Sequence, residues 1–592
     1  MLHPEDQALF PLPRSIHHRG GATFPRPTAL TCRSIHVNQA AAEAFRRGFV
    51  LSAPPNDRAW AVAGGFPVDL HPLADASPDA YRIRLHPEGI RVSATDAPGF
   101  QYAGTTLGQL LAQNPDTLPV IDLDDAPAFP RRGFMLDISR TKVPTMATLF
   151  ALVDQLAAWK FNHLQLYTEH TFAYAGHPEV WRDASPMTAE EIRQLDARCR
   201  RLHIELSANQ NSFGHLHRWL SLPTYRPLAE SPDGYTTPWG ERRTGPFSLN
   251  PLDPRSLTFL ESLYDELFPN FTSPWVNIGG DETFDLGQGA SKAACETRGK
   301  GRVYLDFLLQ IHQRVAARGR RMMFWADIVL NHPEVIPDLP RDVRALVWGY
   351  ETTDPLPAQC ATMAASGIPF WVCPGTSTWN SIAGRFDNAW TNIDTAATHG
   401  RTHGAEGLLL TEWGDNGHWQ TQPFSRLALA VGAGAAWTGR APPPATLGQV
   451  IPHADTLIDL GRCYLDAGFP LHNTSPLFPL LRFQQPVTVL DRWTPERLLA
   501  TRDHLDRISA SLPAGGSELE AREIRLAAGL LRQAVLRGLA LKQQPGLPAP
   551  AARKAELAAL LAEHEHLWLA RNRPGGLPES IAPLHQRLAE LA

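Results

Sequence analysis

Short apolar runs recur through the middle of this chain, each ending on polar or aromatic residues and followed by a stretch with helical spacing. Eight of them read as strands: 133–139 (GFMLDIS), 163–169 (HLQLYTE), 204–210 (IELSANQ) and 275–282 (WVNIGGDE), then 322–329 (MMFWADIV), 343–350 (VRALVWGY), 369–376 (PFWVCPGT) and 406–415 (EGLLLTEWGD). Between them Leu149, Phe150, Val153, Leu156 and Ala157 fall on one helical face, and 301–319 behaves likewise. Strand and helix alternating over about 300 residues predict an α/β fold, a (β/α)8 TIM barrel, with a doubly wound open sheet as the rival. No Gly-x-Gly-x-x-Gly and no Gly-x-x-x-x-Gly-Lys-[Ser/Thr] follows a strand, so nucleotide binding has little support.

The flanks differ in texture. Residues 81–94 (YRIRLHPEGIRVSA) alternate as two strands around a Pro-Glu-Gly turn, and Leu107, Leu110 and Leu111 recur at helical spacing, which predicts a small α/β domain. From about 446 onward the chain reads as amphipathic helices with exposed Arg and Glu. The expected domains are an N-terminal α/β domain over 1–124, the barrel over 125–445 and a C-terminal helical domain over 446–592.

Composition narrows the classes. Hydrophobic residues make up 43% of 592 and charged residues 19%, a soluble globular balance. A formal net charge of −5 argues against a general nucleic-acid-binding surface. The start, MLHPEDQALFPLP, lacks the basic and apolar segments of a secretory signal, and no run approaches the ~20 apolar residues of a membrane span. Six scattered cysteines with no Cys-x-x-Cys read as reduced thiols. A cytoplasmic address is therefore expected, with no membrane or nucleic-acid partner. A homodimer is among the assemblies compatible with the chain.

The strand ends carry the candidate chemistry, on the face where such barrels do theirs. Arg131, Arg132 and Asp137 belong to the first strand, Glu169 and His170 end the second, and the third runs into NQNSFGH with His215. The fourth ends Gly279-Gly280-Asp281-Glu282. Trp325 and Asp327 come from the fifth, Trp348 and Tyr350 from the sixth, Trp379 from the loop after the seventh, and Trp413 with Asp415 from the eighth. Four tryptophans near one rim, interleaved with acids, suit a pyranose: flat rings for its C–H faces, carboxylates and Arg forks for its hydroxyls. Neighbours on an ideal strand face opposite ways, so Asp281 and Glu282 share a pocket only if Gly279 and Gly280 bend the chain. Two acids held that close do not ionise independently, because one charge raises the pKa of the other.

These motifs make the chain resemble family-20 glycoside hydrolases, the β-N-acetylhexosaminidases. NIGGDE at 277–282 resembles the family's (His/Asn)-x-Gly-Gly-Asp-Glu strand end, RRGFMLDISR its first barrel strand, and FGH at 213–215 its Pro-Gly-His. FWADI, LVWGY and TEWGD resemble the tryptophan-bearing ends of strands five, six and eight, all in the family's order over roughly residues 8–440. The resemblance implies Glu282 as general acid and base, Asp281 as partner of the substrate's acetamido group, and His215 beside the acid. It also implies Arg132 and Asp415 on distal hydroxyls, and Trp325, Trp348 and Trp413 as pocket walls. The implied substrate is an amino-sugar oligosaccharide or glycoconjugate, with no cofactor and no metal.

Two departures mark a divergent branch. LQLYTEHTFAY stands where the family has His-x-x-x-Asp-Asp-Gln, leaving Glu169 or His170 in place of the aspartate, with Glu169 favoured as a sugar or relay contact. The family's acetamido-binding tyrosine after strand seven is absent, with Trp379 and Asn380 in its place. Two rival readings differ in class. One is a non-catalytic sugar-binding barrel; the other is a divalent-metal site on Asp281, Glu282, Asp285 and His215, whose carboxylate spacing matches no known ligand pattern. Arg571 and Arg573, before Pro-Gly-Gly, read as solvated residues at a helix end, with a segment reaching over a barrel mouth, its own or a partner's, as the alternative.

Overall fold

The computed structural model describes residues 9–34, 36–54, 64–140, 142–485, 487–512 and 518–591. Six strands come first: β1 (Ser15–Pro25), β2 (Leu30–Ser34), β3 (Phe66–Pro72), β4 (Tyr81–His86), β5 (Gly89–Ala94) and β6 (Thr117–Asp125). They form one sheet in the order β1-β6-β4-β5-β3-β2. Strands β4 and β5 alternate buried and outward residues, so one sheet face is free to pack on helices. Helices Gln39–Ser52 and Ala97–Gln113 cover that face, burying Phe45, Phe49, Leu107 and Leu110 against Val68, Leu70, Ile83 and Val92.

The barrel follows. Its strands are β7 (Arg131–Asp137), β8 (His163–Tyr167) and β9 (Glu205–Asn209). A small hairpin, β10 (Gly234–Thr236) and β11 (Arg242–Thr244), interrupts before β12 (Trp275–Asn277), β13 (Arg321–Trp325), β14 (Arg344–Trp348), β15 (Phe370–Cys373) and β16 (Gly407–Glu412). All eight barrel strands run parallel, and the ring closes where β16 pairs with β7 over six residues. The doubly wound alternative is thereby excluded. The crossover helices start where the side chains satisfy their free N–H groups: Thr145 caps Met146–Ala158, and Thr188 with Glu191 forms a capping box on Ala189–Arg201.

The strands are shorter than their apolar runs. Strand β12 ends at Asn277, and Asp327 opens a helical turn, because these segments turn away from the ladder at the barrel mouth.

Helices Pro495–Ser511, Leu519–Leu541, Pro550–Arg571 and Leu577–Glu590 lead the C-terminal region, whose apolar side chains merge with the barrel's own core. Arg573 pairs with Glu191 of a barrel helix and Arg571 with Glu523 of a neighbouring C-terminal helix, each at 2.8 Å or less, so Arg573 docks the C-terminal region on the barrel, Arg571 ties two of its helices together, and neither is solvated. All six cysteines are unpaired. Among the described residues no helix is long and apolar enough to cross a membrane.

Candidate active site

The chain bends at the end of β12 because two glycines take conformations that other residues resist. Gly279 has φ +71° and Gly280 φ +91°. A Cβ on Gly279 would lie 2.0 Å from Asn211 Oδ1. The bend is held from several sides: Asn277 Oδ1 accepts from Gly279 N–H, Trp325 N–H donates to Gly279 O, and Tyr304 donates its hydroxyl to Gly280 O at 2.8 Å. Glu282 itself sits at φ +50°, and its N–H donates to Asp327 Oδ2 at 3.0 Å. Strained non-glycine residues fixed in this way by their surroundings cluster at functional sites.

The bend delivers both acids to one cavity of about 320 Å³ at the barrel mouth. Asp281, Glu282, His215, Arg140, Trp325, Trp348, Trp379, Trp413 and Asp415 all line it. Asp281 is the deeper acid, with 9% of its side chain exposed against 35% for Glu282. His215, also left-handed at φ +59°, places Nε2 3.2 Å from Asp281 Oδ2 and 3.5 Å from Glu282 Oε2.

The electrostatics follow from this packing. Burial works against the His215 imidazolium and Arg140 adds to that, yet the two carboxylates outweigh both and lift its pKa to about 9. Burial raises the Glu282 carboxyl above its ordinary value; the His215 charge pulls against that rise and the Asp281 carboxylate adds to it. Asp327, half-buried beside Asp281, is pushed up to about 8 by desolvation and then by the Asp281 charge. It accepts from the Glu282 N–H and faces the Trp348 indole N–H.

Arg132 is not in this cavity, contrary to the sequence reading. It stands near the start of β7, at the opposite end of the barrel from the mouth, and is 1% exposed. Its guanidinium donates to Asp79 Oδ2, to the Tyr102 hydroxyl and to the carbonyls of Lys160 and Phe129, tying barrel to N-terminal domain. The arginine of the mouth is Arg140, which the sequence reading missed. Asp137, at the end of β7, accepts from the N–H and guanidinium of Arg140 and from Gly414 N–H, so it aims Arg140 and joins the ends of β7 and β16. Arg140 lies between the rings of Tyr167 and Trp413 and faces Asp415 Oδ1 at 3.1 Å. The signal was present: a residue past the C-terminal end of a parallel strand reaches the mouth, and one at its start does not.

Glu169 stands behind the lining. Its carboxylate accepts from the Tyr167 hydroxyl at 2.9 Å and lies 3.5 Å from Arg140 Nη2, which places it to hold Arg140 more than to touch a ligand. Asp285 turns away, accepting from Ser248 N–H, and so stands outside the Asp281–Glu282–His215 cluster. The aromatic walls meet closely: Trp348 stacks on Tyr350 at 5.1 Å, and Trp379 meets Tyr350 edge-on at 5.1 Å. Among the buried polar atoms of this cavity that lack a hydrogen-bond partner are the indole N–H groups of Trp325 and Trp413, and Asp281 Oδ1. The cavity thus offers two donors and an acceptor within an aromatic box, the complement of an amide held by its C=O and N–H.

The C-terminal region also reaches the mouth. His472 and Asn473 line the cavity. Asn473 accepts from the Trp379 indole at 2.7 Å, donates its N–H to Glu351 at 2.9 Å, and accepts on its carbonyl from Asn380. No sequence pattern marks these two residues, because the contact joins segments almost a hundred residues apart.

Comparison with known proteins agrees with this geometry. Residues 129–440 match the model of the glycosyl hydrolase family 20 catalytic domain, and residues 6–126 match domain 2 of the same family. The β-hexosaminidase of Akkermansia muciniphila is 29% identical over 228 residues, covering 34% of this chain and 45% of that protein. The α subunit of Bos taurus β-hexosaminidase is 26% identical over 259 residues, covering 39% of this chain and 46% of that subunit. The chain spans about half the length of the curated relatives it matches. Among solved structures, the exo-β-N-acetylglucosaminidase of Vibrio harveyi, in complex with N-acetylglucosamine, superposes with TM-score 0.61 at 18% identity over 77% of each chain. Flavobacterium johnsoniae chitobiase gives TM-score 0.61 at 16% identity over 99% of this chain and 100% of that one. At those identities the likeness is one of fold.

Proposed function

The chain belongs to glycoside hydrolase family 20 and is a β-hexosaminidase-like hydrolase, and from that premise we propose that it removes terminal β-linked N-acetylhexosamine with retention of configuration, the substrate's own acetamido oxygen acting as nucleophile. The observation that carries this reading is the shared corner of Asp281, Glu282 and His215, whose facing atoms all lie within 4.8 Å of one another. That is too close for an inverting pair, which leaves ~6.5–9.5 Å for a water between its carboxyls. Family 20 is a known exception to the enzymic-nucleophile scheme of retaining glycosidases.

In this scheme Glu282 protonates the departing oxygen, helped by the burial that keeps its carboxyl protonated to higher pH. Asp281, through the unpartnered Oδ1, accepts the acetamido N–H and stabilises the positive charge as the acetamido oxygen closes on C1. The bond from C1 to the leaving oxygen breaks as the oxygen–C1 bond forms. Glu282, now a carboxylate, deprotonates the water that reopens the ring. The indoles of Trp325, Trp348 and Trp413 enclose the acetamide and exclude water from it. The Arg140–Asp415 pair faces the distal hydroxyls.

Release of 4-nitrophenol from its N-acetyl-β-glucosaminide tests the reaction. Competitive inhibition by a thiazoline analogue of the cyclic intermediate tests the route. Hydrolysis that persists on a glycoside lacking the 2-acetamido group would rule out substrate assistance.

A further inference from the structure

Trp239 stands at the turn of the β10–β11 hairpin, 62% exposed, more than any other large apolar side chain among the described residues. A single exposed apolar residue needs no explanation by itself; its position supplies one. The hairpin lies in the loop that follows β9, on the mouth side of the barrel, and is fastened to the loop that carries Glu282. Gln288 accepts from Thr236 N–H at 2.9 Å and donates to the carbonyls of Thr236 and Phe284 at 2.8 Å each. A file of rings leads outward from the site. His215 meets Phe247 at 4.9 Å, Phe247 stacks with Phe284 at 6.1 Å, and Trp239 meets Phe284 edge-on at 5.3 Å. The Trp239 indole N–H is tied to Glu241 Oε2 at 3.2 Å, which orients the ring at the end of that file.

Chemistry fixes which substituent passes this way. A general acid must touch the leaving oxygen, so the leaving group lies along the open side of Glu282, the more exposed acid of the pair. Phe284 is two residues beyond Glu282, and Trp239 covers its edge. We propose that Trp239 is a stacking platform for a sugar on the leaving-group side, beyond the first, so that the protein prefers oligosaccharide chains to single-sugar aglycones. This rests on the assignment of Glu282 as the acid, made above.

The test compares N-acetylchitotriose with 4-nitrophenyl N-acetyl-β-glucosaminide in the full chain and in Trp239→Ala and Trp239→Phe. The expected result is a fall of about two- to tenfold in the ratio of kcat/KM for the trisaccharide to kcat/KM for the aryl glycoside in Trp239→Ala, carried by KM, with Trp239→Phe in between. A merely structural role for the hairpin would lower both substrates in parallel and leave the ratio unchanged, which would overturn the platform. Failure of the unsubstituted chain to cleave the trisaccharide while it cleaves the aryl glycoside would also overturn it and leave the proposed function standing. Failure on both substrates would remove the proposed function, and the platform with it.

Discussion

The imidazole Nε2 of His215 stands 3.2 Å from Asp281 Oδ2, and Glu282 Oε2 approaches the same nitrogen to 3.5 Å. One ring therefore balances two acids. Its charge, kept up to about pH 9, holds down a Glu282 carboxyl that burial alone would lift further. Replacing His215 by Gln removes that charge, so the Glu282 pKa rises and the alkaline limb of the kcat profile moves to higher pH while kcat falls. A pH–rate series on both proteins checks the direction; a limb that stays in place or moves down contradicts it.

On the proposed route Glu282→Gln removes the proton donor. Turnover of N-acetylchitobiose, whose leaving group is a sugar, falls by about 10²–10⁴-fold. Turnover of 4-nitrophenyl or dinitrophenyl glycosides, whose leaving groups need little protonation, falls much less. Equal losses across the series would show that Glu282 is not the general acid.

Asp281→Asn gives the opposite pattern. On the proposed route the charge on the acetamido group develops whatever leaves, so aryl glycosides and chitobiose lose rate by comparable factors, and thiazoline affinity drops with them. A plot of rate against leaving-group pKa separates this case from the previous one.

The two arginines separate site from scaffold. Arg140→Ala cuts kcat/KM by more than its loss of stability accounts for, because the guanidinium facing Asp415 in the cavity is lost while Asp137 and Glu169 lose a cation. Arg132→Ala leaves Asp79 and two carbonyls short of their donor inside the protein, and destabilises it by about 3–5 kcal/mol. Urea unfolding read beside steady-state kinetics distinguishes them.

Gly279→Ala tests the bend. The left-handed backbone alone costs about 1–2 kcal/mol with a side chain present, and the added methyl meets Asn211 Oδ1. The peptide moves and carries Asp281 and Glu282 with it, so kcat falls by more than tenfold while Tm drops only a few degrees. Unchanged kcat would mean that the acids are positioned by something other than this turn.

Much of this arrangement was legible because it is periodic. Apolar runs with helical intervals gave the barrel strands, and glycines before paired acids gave the bend. Tryptophans at strand ends gave the walls, since Trp325, Trp348, Trp379 and Trp413 all stand in one cavity. What escaped depends on position along a strand or on distant partners. Arg132 and Arg140 share one short segment, and only the polarity of a parallel strand tells which end meets substrate. Glu169 is adjacent to the site, yet whether it faces ligand or Arg140 is a matter of packing. Arg573 looked solvated because Glu191, its partner, lies 382 residues away.

Asn473 bears on how this protein can be cut. A chain ended after Thr438, at the close of the last barrel helix, keeps all eight strands but takes the Asn473 contact from Trp379, Asn380 and Glu351, leaving Glu351 to Arg385 and Asn380 to Asn416. The indole of Trp379 would then face water at the cavity it lines. The barrel here is not a transplantable module; its catalytic shape belongs to the whole polypeptide.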